Sequence, residues 1–249
     1  PDGRVLVAGD DQHSPLEIVD LIGARVSMVF TPRQITLGLS ASGASTKALN
    51  DLESLTIDPR GHVYGATSHA LTAKGVAKAD REQLVRFDVH GDRLEGLQIF
   101  SRLKPALMAL DPVFRAAAQL EPRQGGLNIE GLAWDPVRAR LLIGFRSPRS
   151  QREALAVWLE NPDAVFEQHA DPILLPPIRL DLGGEGIRDV TYSPTLRAFV
   201  IIAGSWRHRA KNDVPALWVW SGGDDAPVEL RAPEIEDLKP EGIAEVALN

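Results

Sequence analysis

The chain alternates short apolar runs with tight turns, and one such pattern occurs three times. Each copy has a first β-type run, an Asp-Pro or Ser-Pro pair, and a second run that ends in small and polar residues. Asp-Pro and Ser-Pro pairs mark turns, and short runs rich in β-branched and apolar residues are typical of buried strands. The copies predict three pairs of strands, which cover residues 52–59 with 62–69, 129–136 with 141–147, and 187–194 with 199–205.

A fourth copy is divided between the two ends of the chain. Residues 240–249 match the first run, and residues 1–11 supply the turn and the second run. In a β-propeller, a blade built from both chain ends closes the ring and protects its edges. We therefore expect residues 5–8 to pair with residues 243–246 in one sheet.

Further β-type runs follow each copy, at residues 16–21, 83–89, 154–159 and 216–220. They bring each repeat to about four strands, which is the blade unit of a β-propeller. The sequence therefore predicts an all-β fold, a single β-propeller domain over residues 1–249 with four recognisable blades. A fifth, degenerate blade is the alternative, in residues 22–50 or 101–127.

One segment, residues 103–120, does not fit a blade. Asp111-Pro112 stands before an alanine-rich run, which indicates a capped helix with proline at its first position. We expect residues 111–120 to be helical, with Val113 or Phe114 packed on the propeller and Arg115 exposed. An insertion that covers an edge is favoured over a substrate lid.

Composition narrows the classes of partner. The net charge of −7 and the lack of a basic patch with stacked aromatic residues argue against a nucleic-acid or anionic-membrane partner. The one basic cluster, residues 207–211, is interpreted as a solvated loop because acidic residues follow it. No apolar run approaches the ~20 residues of a membrane span.

The chain has no cysteine, which excludes thiolate zinc sites, disulfides and cysteine nucleophiles. Cysteine content alone leaves the compartment open, and an extracytoplasmic location, periplasmic or secreted, is the expectation. The sequence opens at Pro1 without a signal-type apolar segment, so we expect a mature, trimmed or fragmentary chain. Nothing in the sequence indicates an oligomeric state.

Several motifs resemble one known family. They are Asn-Ile-Glu-Gly-Leu-Ala at 128–133, Ile-Gly-Phe-Arg at 143–146, Gly-Ile-Arg-Asp at 186–189 and Pro-Glu-Gly-Ile at 240–243, with Ser68, His69, Lys74 and Arg81. Together they resemble an uncharacterised bacterial domain-of-unknown-function family related to the esterase-like phytase propellers. The resemblance runs from about Asp51 to Glu245 and implies a β-propeller without an established activity. The chain departs from the family pattern by ending before its last strands, unless residues 1–11 supply them.

Aligning the four copies puts Glu53, Glu130, Arg188 and Glu241 at one equivalent position. Equivalent residues on the innermost strands of a propeller converge around its central channel. Three carboxylates brought together repel one another, so either Arg188 or a hard cation such as Ca²⁺, held by the three glutamates, must compensate. The alternative is that the glutamates cap strands or bond backbone amides of a neighbouring blade.

The second runs end in polar pairs that are expected on one face of the ring. His69 is the candidate general base because it titrates near neutral pH, and a hydrogen-bonded structural histidine is the alternative. Arg146 either binds an anion or pairs with a nearby aspartate. The candidate ligand-binding residues are Ser68, Arg146, Arg188, Asp189, Asp10 and Asp11.

These features favour a propeller of unassigned activity with a ligand or cation site at the channel mouth. It would act as a binding module or scaffold for a small-molecule or anionic ligand. The alternative is a calcium-dependent hydrolase of the phosphoesterase or lactonase type. The sequence has no Gly-x-Ser-x-Gly elbow, phosphate-binding glycine loop or His-Glu-x-x-His motif that would indicate another catalytic mechanism.

Overall fold

Antiparallel sheets dominate the fold in a computed structural model. The structure describes residues 4–8, 16–20, 33–34, 50–91, 93–205, 215–232 and 240–245. The first sheet has three strands, in the order β1 (Arg4–Ala8), β2 (Leu16–Asp20) and β3 (Arg33–Gln34).

Three four-stranded antiparallel meanders follow in the described part of the chain. The second sheet consists of β4 (Leu52–Ile57), β5 (Val63–Thr67), β6 (Leu84–His90) and β7 (Arg93–Phe100). The third sheet consists of β8 (Asn128–Asp135), β9 (Arg140–Ser150), β10 (Glu153–Leu159) and β11 (Ile178–Leu180). The fourth sheet consists of β12 (Gly186–Ser193), β13 (Ala198–Gly204), β14 (Ala216–Trp220) and β15 (Val228–Leu230).

The three complete repeat copies form the first two strands of the three four-stranded sheets, as the sequence predicts. In the two Asp-Pro copies, the aspartate closes the turn between these strands. Asp58 Oδ1 accepts hydrogen bonds from the backbone N–H groups of Arg60 and His62, at 2.9 and 3.0 Å. Asp135 Oδ1 accepts from Val137 N at 3.0 Å in the next copy. An aspartate that satisfies the amides of its own turn explains why Asp-Pro is a turn signal.

The sheets pack side by side through their first strands, β4 beside β8 and β8 beside β12. The Thr56 hydroxyl accepts a hydrogen bond from Trp134 N at 3.0 Å, and the Trp134 ring stacks on Tyr64 with centroids 5.6 Å apart. The three-stranded sheet packs on the second sheet, where Leu6 and Leu16 meet a buried apolar cluster that includes Leu52 of β4 and residues of β5, β6 and β7.

Two glycines permit the close approach of the third and fourth sheets. A Cβ atom on Gly131 would lie 2.9 Å from Ile187 Cγ2, and one on Gly144 would lie 2.8 Å from the same methyl group. Both distances are shorter than carbon atoms tolerate. Ile187 is fully buried, so its side chain has little room to move away.

The segment between β7 and β8 is helical, with α1 (Leu103–Leu110) and α2 (Pro112–Ala117), so the described residues 101–127 hold no blade strand. Asp111 caps α2 by accepting from Val113 N at 2.8 Å, and proline follows it at the first helical position. Phe114 is buried with its ring 4.7 Å from that of Phe145, and Arg115 is exposed. These features confirm the predicted helical insertion, although α2 ends at Ala117 and residues 118–120 are not helical as predicted.

A third helix, α3 (Pro162–Glu167), lies between β10 and β11 and was not predicted. Within the described ranges, no helix has the length and apolar character that crossing a membrane requires.

The predicted pairing of the chain ends falls partly outside the described residues. In the described part β1 pairs with β2, and residues 240–245 lie outside any strand. This C-terminal segment contacts β12, because Ile243 N donates to Asp189 Oδ2 at 2.8 Å. Of the residues predicted to pair, only 246 is not described, and the described residues 243–245 pair with no strand, so the predicted closure is not confirmed.

Replacing Gly144 with alanine should destabilise the fold, because the added methyl group overlaps Ile187 between the third and fourth sheets. We expect the free energy of unfolding to fall by about 1–3 kcal/mol, which is typical of an overpacked core. Denaturant titration measures this change. Gly223→Ala is the control, because the nearest atom to its new Cβ is the Ser221 hydroxyl oxygen at 3.4 Å. Equal stability of the two variants would contradict the packing argument.

Candidate functional site

Three of the four residues aligned by the repeat occupy the same irregularity in the four-stranded sheets, while Glu241 lies outside any strand. In β8 the cross-strand pairing passes from Ile129 directly to Gly131, which leaves Glu130 as the extra residue of a β-bulge. The same shift occurs at Glu53 in β4 and at Arg188 in β12. A bulge disrupts the ladder locally and redirects the side chain of its extra residue. The alignment therefore has a structural basis.

Glu130 is the buried centre of the cluster. Its Oε1 atom accepts hydrogen bonds from Arg146 Nη1 at 2.7 Å and from Asn128 Nδ2 at 2.8 Å. Its Oε2 atom lies 4.0 Å from Arg188 Nε. The side chains of Glu130 and Arg146 are only 8% and 7% exposed, so this ion pair is largely removed from water.

Arg188 links the buried carboxylate to an exposed one. Its Nη2 atom donates to Glu241 Oε1 at 2.7 Å, and the Glu241 side chain is 74% exposed. The structure thus brings together Glu130, Arg188 and Glu241, which three different repeat copies supply. Glu53 is half-buried at the equivalent bulge of β4.

Arg146 connects the third and fourth sheets. Its Nε and Nη2 atoms both donate to the Ser205 carbonyl, at 3.0 and 2.9 Å, while Nη1 holds Glu130. The partner of Arg146 is therefore a glutamate and a strand-end carbonyl, where the sequence suggested an anion or an aspartate. Its position is fixed on both sides of the guanidinium.

Burial shifts the pKa values of Glu130, at the centre of the cluster, and of Asp189. Loss of water raises the pKa of Glu130, although Arg146 and Arg188 act in the opposite direction. Burial raises the pKa of Asp189 to about 8, even though the N–H groups of Ile243 and Val190 donate to its carboxylate. Asp189 consequently carries a proton for most of the time at neutral pH.

Two carboxylates of this cluster have guanidinium partners, Glu130 with Arg146 and Glu241 with Arg188. Among the described residues, no group of three or more His, Asp or Glu side chains is arranged to hold a metal ion. The expected calcium site at Glu53, Glu130 and Glu241 stays a prediction.

Ser68 lies against the start of the same strand as Glu130. Its carbonyl accepts from Ile129 N at 2.8 Å, and its hydroxyl donates to the Asp51 carboxylate. Arg81 Nη2 is also 3.1 Å from that carboxylate. The Ser68 hydroxyl therefore belongs to a local network that ties the ends of β4 and β5 together.

His69 is fully buried in a left-handed backbone conformation, with φ at 58°. Its Nδ1 atom donates to the Thr67 carbonyl at 2.7 Å, which fixes the neutral tautomer. Burial, together with the nearby charge of Lys104, lowers the pKa of His69 to about 4. These features match the structural alternative for this histidine and do not suit a base that must exchange protons with a bound substrate.

Some of the candidate ligand-binding residues lie outside the described residues. Asp10, Asp11 and residues 207–211 are among those that the structure does not describe.

The sequence analysis missed the Asn128 amide, although its spacing of two residues from Glu130 on one strand was an available signal. The Ser205 carbonyl has no side-chain signal, because it is a backbone group.

Comparisons with known proteins add little to this geometry. No protein-family model matches the chain, and no curated protein matches it. Among solved structures, it is similar to a glucose dehydrogenase with 14% sequence identity and a TM-score of 0.36. The match covers 90% of this chain and 78% of that chain. This likeness is too low to support an inference about activity.

The burial of His69 predicts a pH dependence of stability. The unfolded histidine takes up a proton near its ordinary pKa of 6.5, whereas the folded one does so near 4. Between these values the unfolded chain binds more protons, so the contribution of His69 to stability is lost as the pH falls. We expect a loss of about 2 kcal/mol between pH 7 and pH 5.

Urea titrations of the wild type and His69→Asn at several pH values isolate this contribution. Asparagine tolerates the left-handed conformation, and the comparison cancels the opposite contributions of Glu130 and Asp189, whose pKa values are raised. His169→Asn is the matched control, because His169 is exposed and also has positive φ, at 54°. The same pH slope in His69→Asn as in the wild type would refute the argument.

Proposed function

We propose that this protein is a β-propeller binding module with a ligand site at the mouth of its central channel. The observation that carries the proposal is the chain of contacts from Arg146 through Glu130 and Arg188 to Glu241. Three of these residues come from equivalent positions of different repeat copies, which is the arrangement that side chains around a propeller axis adopt. Charged groups that converge in this way provide polar anchoring points for a small molecule.

The proposed ring has four blades, and the two chain ends share one of them. Two contacts support this closure. The three-stranded sheet packs on the second sheet through Leu6 and Leu16, and the C-terminal segment contacts β12 through Ile243. The two ends therefore flank the remaining gap between the fourth sheet and the first. A shared blade would remove the free sheet edges there.

Ring closure is testable by double electron–electron resonance on Val7→Cys/Ala244→Cys, because the chain has no other cysteine to label. Both positions are exposed, Val7 by 40%. Paired strands lie about 5 Å apart, so with the label arms we expect a distance below about 20 Å. The two single-cysteine variants, compared with the wild type in thermal unfolding, control for damage by the labels. A distance above about 30 Å would rule out a shared blade.

A non-catalytic role fits the site better than hydrolysis. The candidate base His69 is fully buried, and its lowered pKa of about 4 leaves it neutral. Two of the three carboxylates proposed for calcium, those of Glu130 and Glu241, are paired with arginines. No contact of the described residues favours the calcium-dependent hydrolase.

Ligand binding is testable by thermal unfolding with acetate, succinate, inorganic phosphate, glucose or CaCl₂ present. A compound that binds the folded state raises Tm in proportion to RT ln(1 + [L]/Kd). We expect at least one of the organic or phosphate compounds to raise the Tm of the wild type by a few degrees, and Arg188→Gln to abolish the rise. Arg138→Gln, at an exposed turn of the third sheet, should keep it. Equal shifts in wild type and Arg188→Gln would exclude the proposed site.

A further inference from the structure

Arginine presents two parallel donors along one edge, the Nε–H and one N–H of Nη2, and this edge matches a pair of acceptors. Among the described residues, Arg60 and Arg146 use both donors of this edge. Arg60 Nε and Nη2 donate to Asp58 Oδ2 at 2.9 and 2.7 Å. Arg146 Nε and Nη2 donate to the Ser205 carbonyl at 3.0 and 2.9 Å. In both cases one acceptor group serves the two donors.

The same edge of Arg188 is only half used. Its Nη2 atom donates to Glu241 Oε1 at 2.7 Å. Its Nε atom is buried and has no hydrogen-bond partner among the described residues, with Glu130 Oε2 4.0 Å away. Buried donors of native proteins are nearly always paired. The free Nε–H beside an occupied Nη2 is therefore half of a site for an anion with two acceptor oxygens.

Arg188 is held in place for such a contact. Its side chain is only 12% exposed, and its stem lies across Gly204, where an added Cβ atom would be 2.6 Å from Arg188 Cδ. A guanidinium fixed by packing loses little conformational freedom on binding a ligand.

Glu241 is the replaceable member of the pair. Its side chain is 74% exposed, and an ion pair with one partner in solvent contributes little to stability. The C-terminal segment has other attachments, through Ile243 N to Asp189 and through Glu245 to Thr195. The Glu241 side chain can therefore turn into solvent while the backbone of the segment stays bound.

The charge balance favours an anion once Glu241 has moved away. Among the described residues, the charged groups in contact are then the guanidinium groups of Arg146 and Arg188 and the carboxylate of Glu130. Asp189 adds little negative charge at neutral pH, since its pKa is raised to about 8. The remaining site has a net positive charge.

Taking the ligand site proposed above as the basis, we infer that Arg188 binds a carboxylate group of the ligand through both Nε and Nη2. Glu241 occupies part of this position when the ligand is absent and competes with it. The ligand class is a carboxylate because the group that the ligand replaces is itself a carboxylate, bound at the same guanidinium edge. Glu241 thus sets the ligand concentration at which the site fills.

Isothermal titration calorimetry with succinate and acetate, on wild type, Glu241→Gln and Arg188→Lys, tests the competition. Removing the competitor raises the fraction of binding-competent sites, so Glu241→Gln should bind succinate about 5- to 10-fold more tightly. Arg188→Lys keeps the charge and loses the paired donors, so it should bind at least about 10-fold more weakly. Glu160→Gln is the matched control, because Glu160 is a part-exposed partner of the buried Arg140, at 2.7 Å, and it should bind as the wild type does.

The outcomes separate this inference from the proposed function. If Arg188→Lys loses binding and Glu241→Gln binds no more tightly than the wild type, the ligand site stands and the competition is refuted. If inorganic phosphate binds through Arg188 and neither carboxylate does, the assigned ligand class is wrong. If Arg188→Lys binds succinate as the wild type does, the proposed site fails together with the inference. If Glu241→Gln disturbs the C-terminal segment, Glu241→Ala is the second variant for the same titration. Thermal unfolding of each variant and of the wild type shows whether the substitution has disturbed the fold.

Discussion

A β-bulge at one shared position of the first strand is the constraint on which the candidate site depends. The bulge leaves Glu53, Glu130 and Arg188 outside the regular ladder of their sheets. Without the extra residue, the alternation of a strand would continue unbroken and these side chains would keep their place in the pleat. The cluster is therefore a product of backbone geometry repeated in each sheet, and the charges follow from the residue that each repeat places there.

The repeat made much of the fold predictable, because a turn signal between two apolar runs is local information. The strands of the complete copies and the capped helix α2 were both found in this way. Helix α3 was missed because it is short and its sequence has no strong signal beyond Pro162. The lowered pKa of His69 could not be predicted, since it depends on burial in the folded chain and on the charge of Lys104 in a distant segment, α1. The bulge was also hidden, because register depends on both strands of a pair.

The electrostatics of the cluster differ from those expected for three neighbouring carboxylates. The sequence suggested a repulsion that Arg188 or a cation would relieve, and it did not anticipate that Arg146 would turn inward. Arg146 pairs with Glu130 and Arg188 pairs with Glu241, so these two acids of the cluster each have a guanidinium partner. Burial of such pairs is costly unless their hydrogen bonds are satisfied, and Asn128 and the Ser205 carbonyl supply two of the remaining bonds.

The substitution of arginine for glutamate in a single repeat has a consequence for orientation. In the proposed propeller, sheets generated by one repeating unit would present nearly the same face to a common centre, and such a scaffold alone would offer a bound molecule several equivalent poses. One guanidinium among carboxylates, at the bulge of β12, removes this degeneracy. In the proposed site, a molecule with chemically different ends would have a single favoured direction, although the repeated strands around it are alike.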